Sequence, residues 1–533
     1  MKNLIFFITF FVFTIPLFSF DMILTGDPVL EDLRFLSLKS GRPLLSFTPP
    51  LAPAEVKRFL DSINEADLGP SARDAYHRVL RRLAPVSRIS YSEENFSLLL
   101  NINSVFEARA RFNSDISWYP RYRQITPLVS APLRASFANT IQLYFEPIFA
   151  MRTGEISDGA FDSNVPTSHD QFNHEFVVRA FAAVGGDWWN FQIGRDRLFW
   201  GTGHTGSLIF SDHSPYFDFA RLSFFSANVK YSIIVNQMPL RLSRGLFTDD
   251  WWQDNYDSVD TRTVLQRHFY LHRLDFRLFD RLSIGIMEGM MVGDAPLEIR
   301  YLNPLIYFHS LFAWNDFPLW RPDSGHMVGS FFSLEVNWNV NRNLAFYGQF
   351  SMNEFTLPGE TDGHPNAMGW MAGVQFAHSF NNWGAVSFLE FVYTDPYLSI
   401  LSSPFASFIQ MDRLRNYYFI GHPRDTIAVT VGTNFFYRDI LNLYGNFSWI
   451  SSGEHNRYGL IWDWESGPDA VGRRTPTGTA ENKFILSVGS GWRPSPRIIL
   501  RANVTGIISL NNSHISSNNQ TGGQASFSVG FQH

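Results

Sequence analysis

The 533-residue sequence contains no cysteine, and only 17% of its residues are charged. The missing cysteine excludes disulfide scaffolds, Cys-ligated zinc or iron–sulfur centres and thiol nucleophiles. A formal net charge of −6 shows no excess of basic residues of the kind that nucleic-acid binding proteins carry. Beyond residue 20 no apolar run reaches about 18 residues, so helical membrane spans are not expected.

Aromatic side chains, in contrast, make up 16% of the chain, with 52 Phe, 19 Tyr and 15 Trp. Residues 1–20 have the pattern of a secretory signal peptide: Lys2, an apolar stretch, and the small Ser19 before a cleavage point. The alternative is an N-terminal membrane anchor, but a span needs about 20 apolar residues. An exported chain of this composition is expected to be either secreted or embedded as a β-barrel.

Several long stretches alternate apolar and polar residues with a period of two. Residues 332–341 alternate without interruption, and the pattern returns at 344–353, 441–449 and 484–492. Strands of a membrane barrel alternate in this way because one face meets hydrocarbon and the other meets the lumen. A soluble β-sandwich also alternates, so the period alone leaves both open.

The spacing of turns favours the membrane barrel. Eight short turns are predicted, at 136–139, 185–187, 227–229, 279–281, 341–343, 381–383, 437–439 and 493–497. Nine longer loops alternate with them, at 113–128, 150–172, 198–218, 238–267, 289–328, 354–368, 395–425, 451–481 and 509–523. Outer-membrane barrels place short turns in the periplasm and long loops outside. The predicted fold class is an all-β membrane barrel of about 18 antiparallel strands over residues 91–533.

Residues 21–90 show helical periodicity instead. Helices are predicted at 31–39, 54–63 and 71–83, where apolar residues recur at helical spacing. Because this segment precedes the first strand, we expect a small helical segment in the periplasm. There it could cap the barrel mouth or bind a periplasmic partner.

The known chemical motifs are weak. Gly201 to Gly206 match G-x-G-x-x-G, but Pro215 and β-type composition follow where a dinucleotide site needs a helix. We expect these glycines to supply positive φ in a folded loop. The acidic run from Asp249 to Asp260 lacks EF-hand spacing, which favours a solvated loop over calcium. No catalytic constellation is evident, so no enzyme activity, cofactor or metal is predicted.

Arginines recur two residues apart, as the pairs Arg109 and Arg111, Arg121 and Arg123, and Arg195 and Arg197. Residues i and i+2 of a strand point to the same side, so each pair could present two cations to a carboxylate or phosphate. The alternative is that they pair with acids such as Asp187 or Asp196.

Several motifs carry a family resemblance. They are Ile193-Gly194-Arg195-Asp196-Arg197, Trp200-Gly201-Thr202-Gly203, Gly206-Ser207-Leu208-Ile209-Phe210-Ser211, Arg221-Leu222, Arg300-Tyr301-Leu302-Asn303-Pro304, Tyr347-Gly348-Gln349-Phe350 and Asn353-Glu354-Phe355. In order and placement they resemble the signature of the capsule-assembly Wzi family of outer-membrane proteins. Two departures lie in the expected ligand loop: Thr202 stands where Pro is expected, and Ser211-Asp212-His213 replaces a Ser-Asn-Asn-like sequence.

The resemblance implies an 18-stranded barrel in the outer membrane, closed by its loops and helices, that acts as a lectin and anchors capsular or other exopolysaccharide. The candidate polysaccharide-binding residues are Arg195, Asp196, Arg197, Trp200, Gly201, Gly203, Ser207, Ser211, Arg221 and Asn303. Sugars stack on aromatic rings and hydrogen-bond to Arg, Asp and Asn, and the loops also supply Trp251, Trp252, Trp314, Trp320, Trp462 and Trp464. The implied partners are surface polysaccharide, outer-membrane lipid and the barrel-assembly machinery.

The main alternative function is an outer-membrane porin or solute channel, in which lumen arginines would act as a selectivity filter. A barrel hydrolase and a protein adhesin are further alternatives. Ion conductance separates a channel from a plugged lectin.

Overall fold

The computed structural model describes residues 20–84, 89–93, 95–113, 116, 126–152, 160–241, 264–293, 295–308, 320–321, 325–326, 328–355, 365–401, 403, 405–411, 417–454 and 474–532. The predicted signal peptide therefore lies outside the described residues, apart from residue 20. So do Arg121, Arg123, the acidic run 249–260, and all the loop tryptophans named above except Trp320, of which only the backbone is described.

Three helices precede the barrel: α1 (Val29–Ser40), α2 (Pro53–Asp61) and α3 (Pro70–Leu83). Proline opens α2 and α3, where its missing N–H costs nothing, and Gly41 ends α1 in the left-handed region with φ 72°. The predicted helices are confirmed, each within about two residues of its expected ends. No helix in the described part of the chain is both long and apolar enough to cross a membrane.

Eighteen antiparallel strands form the barrel wall. They are β1 (Phe96–Leu100, continuing as Asn103–Phe112), β2 (Val129–Ser130, continuing as Leu133–Phe137), β3 (Ile141–Phe149), β4 (Val177–Gly185), β5 (Trp189–Asp196), β6 (Phe217–Phe225), β7 (Val229–Gln237), β8 (Arg267–Leu278), β9 (Leu282–Gly293), β10 (Val328–Asn339), β11 (Leu344–Glu354), β12 (Ala367–Phe380), β13 (Trp383–Thr394), β14 (Thr426–Tyr437), β15 (Leu441–Ser452), β16 (Glu481–Ser495), β17 (Ile498–Leu510) and β18 (Gln520–Gln532).

The wall closes where β18 pairs with β1, with Ser526 opposite Arg109. Two short strands extend the sheet: Ile89–Glu93 pairs with the start of β1, and Phe161–Ser163 pairs with its end. The predicted strand number and all eight predicted turns are confirmed, because each turn joins two consecutive wall strands. Closure leaves no free sheet edge in the membrane, where unpaired backbone groups would be costly.

The alternating sequence pattern separates the two faces of the wall. Outward side chains such as Leu486, Val488 and Val504 are 56%, 56% and 62% exposed, whereas the inward Lys483 and Ser509 are buried. Apolar side chains on the outer face form the surface that meets lipid hydrocarbon. The inner face carries polar residues, which hold the segments that enter the lumen.

The helices lie inside the wall at the end of the short turns. Phe35 of α1 packs edge-to-face against Phe436 of β14, with ring centroids 4.8 Å apart. At the turns themselves, Arg42 pairs with Asp280 at 3.0 Å. The buried faces of all three helices form one apolar cluster with wall residues. Helix packing against the wall therefore closes part of the periplasmic end of the lumen.

Candidate functional site

The loop between β5 and β6, residues 197–216, folds back into the lumen instead of projecting outward. Trp200, Ile209 and Phe210 in this loop are 0% exposed. Trp200 packs edge-to-face on Phe210 at 5.1 Å, and Phe210 packs on Phe269 of β8 at 5.7 Å. Aromatic packing of this kind holds the loop against the wall, and we call residues 197–216 the inward loop.

Glu390 of β13 is a central polar anchor of the inward loop. The backbone N–H groups of His204 and Thr205 donate to its two carboxylate oxygens at 2.7 and 2.9 Å. The Thr205 hydroxyl also donates to it, and the Tyr347 hydroxyl donates at 2.7 Å. Hydrogen bonds to an ionised carboxylate are stronger than neutral ones, and Glu390 is only 1% exposed. One lumen carboxylate thus fixes the tip of the loop.

Gln349 of β11 holds the next part of the loop. Its carbonyl oxygen accepts from the backbone N–H of Leu208 at 2.6 Å and from the Ser207 hydroxyl at 3.1 Å. Its amide donates to the carbonyl of Trp200 at 3.1 Å. A side-chain amide offers both donors and acceptors, so Gln349 satisfies both arms of the loop at once.

The glycines of the loop have two different roles. Gly201 and Gly206 have φ of 143° and 150°, so the expectation of positive φ is confirmed for them. Gly203 is needed for close packing instead, because a Cβ there would lie 2.2 Å from the carbonyl oxygen of Gly206 and 2.7 Å from the sulfur of Met371.

Helix α1 meets the inward loop inside the lumen. The Arg34 guanidinium donates to the carbonyl of Thr202, and to that of Gly203 at 3.2 Å. It also lies over the Phe47 ring, 4.2 Å from its centroid, and the Phe47 carbonyl accepts from the N–H of Gly201 at 2.9 Å. The N-terminal segment and an extracellular loop are therefore in direct contact.

Arg221 of β6 holds the N-terminal segment to the wall. It is 1% exposed and donates to the carbonyls of Thr48 at 3.2 Å and Pro50 at 2.5 Å. The side chain of Gln192 in β5 accepts from it at 3.2 Å. Arg221 therefore connects the barrel wall to the N-terminal segment by hydrogen bonds.

Asp196 and Arg195 point to opposite sides of β5. Asp196 is fully buried and pairs with Arg179 of β4 at 3.0 Å. Arg195 instead forms a two-pronged ion pair with Asp218 of β6, both contacts 2.8 Å, and lies 4.0 Å over the Tyr216 ring. The Arg195 and Asp218 side chains are 25% and 41% exposed, so this pair is partly exposed at the rim, where the long loops begin.

The other predicted arginine pair within the described residues is bound to acids. Arg109 contacts Glu107 at 2.7 Å, and Arg111 contacts Asp162 at 3.1 Å. For these two, the alternative of ion pairs with lumen acids holds. Arg195 pairs with Asp218 on the outer side of the wall.

A second loop between β13 and β14, whose residues 395–401, 403, 405–411 and 417–425 are described, also enters the lumen with part of its length. Asn353 of β11 accepts from the N–H of Ser399 at 2.8 Å and donates to the carbonyl of Ile400 at 3.1 Å. Arg267 of β8 donates to the carbonyl of Ser407 at 2.8 Å. Phe408 of this loop packs on Phe269 at 5.4 Å, so both loops share one apolar cluster.

His204 is held in an apolar slot of the inward loop. Its ring stacks on Phe388 with centroids 4.1 Å apart and an interplanar angle of 5°, and its Nε2 lies 3.2 Å from the Gln375 side chain. Burial, with the nearby Arg34 charge, lowers the pKa of His204 to about 3. The ring is therefore neutral at physiological pH.

The ten predicted polysaccharide-binding residues fall into two groups. The buried ones are Asp196, Trp200, Gly201, Gly203, Ser207, Ser211 and Arg221, and those with exposed surface are Arg195, Arg197 and Asn303. Direct contact of all ten with a polysaccharide stays a prediction. In the structure the buried residues either belong to the inward loop or form contacts of the neighbouring wall strands.

Sequence reasoning missed Glu390 and Arg34. The only local signal for Glu390 is one charged residue at a lumen-facing position between Leu389 and Phe391. Among the described residues, no group of three or more His, Asp or Glu side chains is placed to hold a metal ion.

The family model of capsule assembly protein Wzi matches residues 104–408, which contain the inward loop and its anchors. The chain belongs to the Wzi capsule assembly family. The model match spans more than half of the sequence. No curated protein matches the sequence.

Among solved structures, the chain is similar to Wzi of Escherichia coli, an outer-membrane protein of group 1 capsule assembly described as a carbohydrate-binding β-barrel. The identity is 15%, the TM-score is 0.57, and the match covers 95% of this chain and 98% of that one. OccD3 of Pseudomonas aeruginosa gives 8% identity and a TM-score of 0.41, covering 82% and 91%. OmpT of Vibrio cholerae gives 8% and 0.32, covering 83% and 100%.

Family membership and the apolar outer face of the barrel place the chain in the outer membrane. The motifs that carry the resemblance also gain a physical meaning. Gln349 and Asn353 are the anchors of the two loops that enter the lumen, and Gly201 and Gly206 provide the backbone conformation of the inward loop. These motif residues therefore hold parts of two loops inside the lumen of this barrel.

Proposed function

We propose that the protein binds capsular or other exopolysaccharide and anchors it at the cell surface, without catalysis. Membership of a capsule assembly family supports this, as does the fold shared with a barrel described as carbohydrate-binding. The observation that carries most weight is the contact of Arg34 with Thr202 and Gly203. A lumen occupied by segments that enter from both ends suits a protein that holds a polymer better than one that passes solutes.

The same contact argues against the channel alternative. A porin needs a continuous water-filled path, and here α1 contacts the inward loop, which shares an apolar cluster with described residues of the loop 395–425 and with the wall. The buried charges of the lumen, such as Arg221 and Glu390, are used to hold these segments.

We further propose that the buried and exposed site residues act differently. The buried group fixes the shape of the inward loop, while Arg195, Arg197 and Asn303 contact the glycan directly. Arg195 with Tyr216 and Asp218 offers a cation, a ring and a carboxylate at the rim, a combination suited to sugar hydroxyls and acid groups.

The remaining partners follow from the architecture. We propose that the signal peptide and the barrel-assembly machinery bring the chain to the membrane, where outward side chains such as Leu486 contact lipid. The exposed face of α3, which carries Arg81, is available to a periplasmic partner.

The test is the amount of polysaccharide retained on cells that lack the protein, with complementation by wild type and by Arg195→Gln. We expect a several-fold loss in the deletion strain and in the variant. Arg281→Gln is the matched control, because Arg281 lies in a short turn at the opposite end and donates only to the Val340 carbonyl, at 3.1 Å. Normal retention in the deletion strain, with an intact envelope, contradicts the proposal.

A further inference from the structure

A cavity of about 720 Å³ lies between the helices and one sector of the lumen wall, formed by β14 to β18 and β1. Arg438, in the turn after β14, and Arg493, near the end of β16, both line it, so it lies toward the short-turn end. The helices contribute the opposite side. Neither the inward loop nor the loop 395–425 lines this cavity.

The wall of the cavity is built from two rows of opposed inward-facing residues. One row is Asn442, Gly491, Arg501, Ser528 and Glu107, and the next is Tyr444, Gly489, Asn503, Ser526 and Arg109. Glycine and serine dominate the middle of both rows. This part of the wall therefore carries mostly short or polar side chains, and only a few positions carry long ones.

Tyr444 forms an aromatic platform on this wall. A Cβ at the opposing Gly489 would lie 2.3 to 2.6 Å from its ring atoms, so the ring lies flat across the glycine. The Tyr444 side chain keeps 38% of its surface exposed. A flat, partly exposed ring among hydroxyl and amide groups is suited to stack against the apolar face of a sugar.

The cavity carries an excess of positive charge. Seven arginines and five acids line it. Four of the arginines, at positions 78, 82, 109 and 438, have acidic partners. Within the described part of the chain no carboxylate pairs with the other three, Arg81, Arg493 and Arg501.

Two of these arginines lie on neighbouring strands, Arg493 near the end of β16 and Arg501 in β17. Gly491 lies opposite Arg501, and the register of the two strands shifts between Trp492 and Ser495, so Arg493 lies at a β-bulge next to this pair. Both arginines line the same cavity, and two guanidinium groups are a suitable combination for binding one carboxylate.

We propose that this cavity is a second glycan site, open toward the periplasm, that binds an acidic segment of the polymer through its carboxylates. Tyr444 stacks on a sugar ring, and Arg493 and Arg501 bind the acid group. The inference rests on the proposed function for the class of polymer, but it concerns a site separate from the rim at Arg195. The aromatic platform favours a sugar over a bare phosphate group, although both are anions.

The test is isothermal titration calorimetry of the full-length protein in detergent with a tetrasaccharide that contains uronic acids. A neutral tetrasaccharide of the same length and inorganic phosphate are the comparison ligands. We expect Arg501→Gln to weaken binding of the acidic tetrasaccharide about tenfold, as loss of a charge-assisted contact should. Tyr444→Leu should weaken it by a similar factor, and Tyr444→Phe should retain it because the ring remains.

Arg497→Gln is the matched control, since Arg497 lies in the turn of the same hairpin and does not line the cavity. Heat-modifiable gel migration confirms that each variant is folded. Isotherms of Arg501→Gln and Tyr444→Leu that superimpose on wild type overturn the cavity site. Phosphate binding as tight as that of the tetrasaccharide overturns the sugar assignment.

The cell assay separates failure of this inference from failure of the proposed function. If the deletion strain shows the expected several-fold loss of polysaccharide but calorimetric binding does not depend on Arg501, the cavity site alone is contradicted. Normal retention in the deletion strain contradicts the anchoring function, whatever the calorimetry gives.

Discussion

Arg34 and Thr202 are 168 residues apart in sequence, yet the Arg34 guanidinium donates to the Thr202 carbonyl inside the barrel. The first belongs to a helix that enters from the short-turn end, and the second to a loop that enters from the other end. This contact joins two of the segments that occupy the lumen, so we expect their arrangement to depend on it.

Replacing Arg34 should loosen this arrangement. In Arg34→Met the carbonyls of Thr202 and Gly203 lose their donor, and a buried acceptor left without a partner costs about 1–3 kcal/mol. We expect transient ion conductance in planar bilayers that wild type lacks. Arg73→Met, on the half-exposed surface of α3, is the control and should behave as wild type. Equal conductance in both variants would contradict the role of Arg34.

Glu390→Gln should release the tip of the inward loop. The backbone donors of His204 and Thr205 would face an amide that offers one acceptor instead of two carboxylate oxygens. We expect the free energy of unfolding to fall by about 1–3 kcal/mol and limited proteolysis to cut within 197–216. Glu93→Gln, in the exposed strand before the barrel, provides the comparison. Unchanged protease resistance in Glu390→Gln would argue that aromatic packing alone holds the loop.

The stability of the protein should depend on pH through His204. Its pKa is lowered from 6.5 to about 3 in the folded state, so between these pH values the unfolded chain binds more protons than the folded one. This group therefore destabilises the folded state as the pH falls from about 6.5 towards 3. We expect unfolding curves of His204→Gln to show a shallower pH dependence than wild type in this window. Parallel pH dependences would show that the ring is accessible to protons.

Gly206→Ala should impair folding more than a glycine replacement in open space. The φ of Gly206 is 150°, and an added Cβ would lie 2.7 Å from Nε2 of His422. Backbone strain of this kind costs about 1–3 kcal/mol. Gly506→Ala is the control with the same substitution, because no atom lies within 4 Å of the Cβ added there. The yield of folded barrel, read from gel migration, should fall only for Gly206→Ala, and equal yields would contradict this role of the glycine.

The wall of the barrel was predictable from sequence because its signals are local. Alternation sets the two faces of each strand, and residues that tolerate positive φ mark some of the tight turns, as Asn139 and Asn381 do with φ of 52° and 49°. Each of these features involves neighbours a few residues apart. The strand number follows from these features, and the helix positions follow from apolar residues at helical spacing, which is also a local signal.

The contents of the lumen were not predictable in the same way. Glu390 holds the N–H of His204 across 186 residues, and nothing in either local sequence indicates the other. Trp200 illustrates the same limit, because an indole suits a sugar-binding loop and an apolar core equally well, and the structure places it in the core. The motifs that carry the family resemblance include Trp200 but neither His204 nor Glu390.

The central claim is that this barrel is closed and binds polysaccharide at the surface. Single-channel conductance of the refolded protein in a planar bilayer, together with glycan-array binding by the same preparation, tests it most directly. The account predicts no stable conductance and binding of acidic polysaccharides that Arg195→Gln weakens. Stable conductance of nanosiemens order, unaffected by any added glycan, would contradict it and identify a general porin.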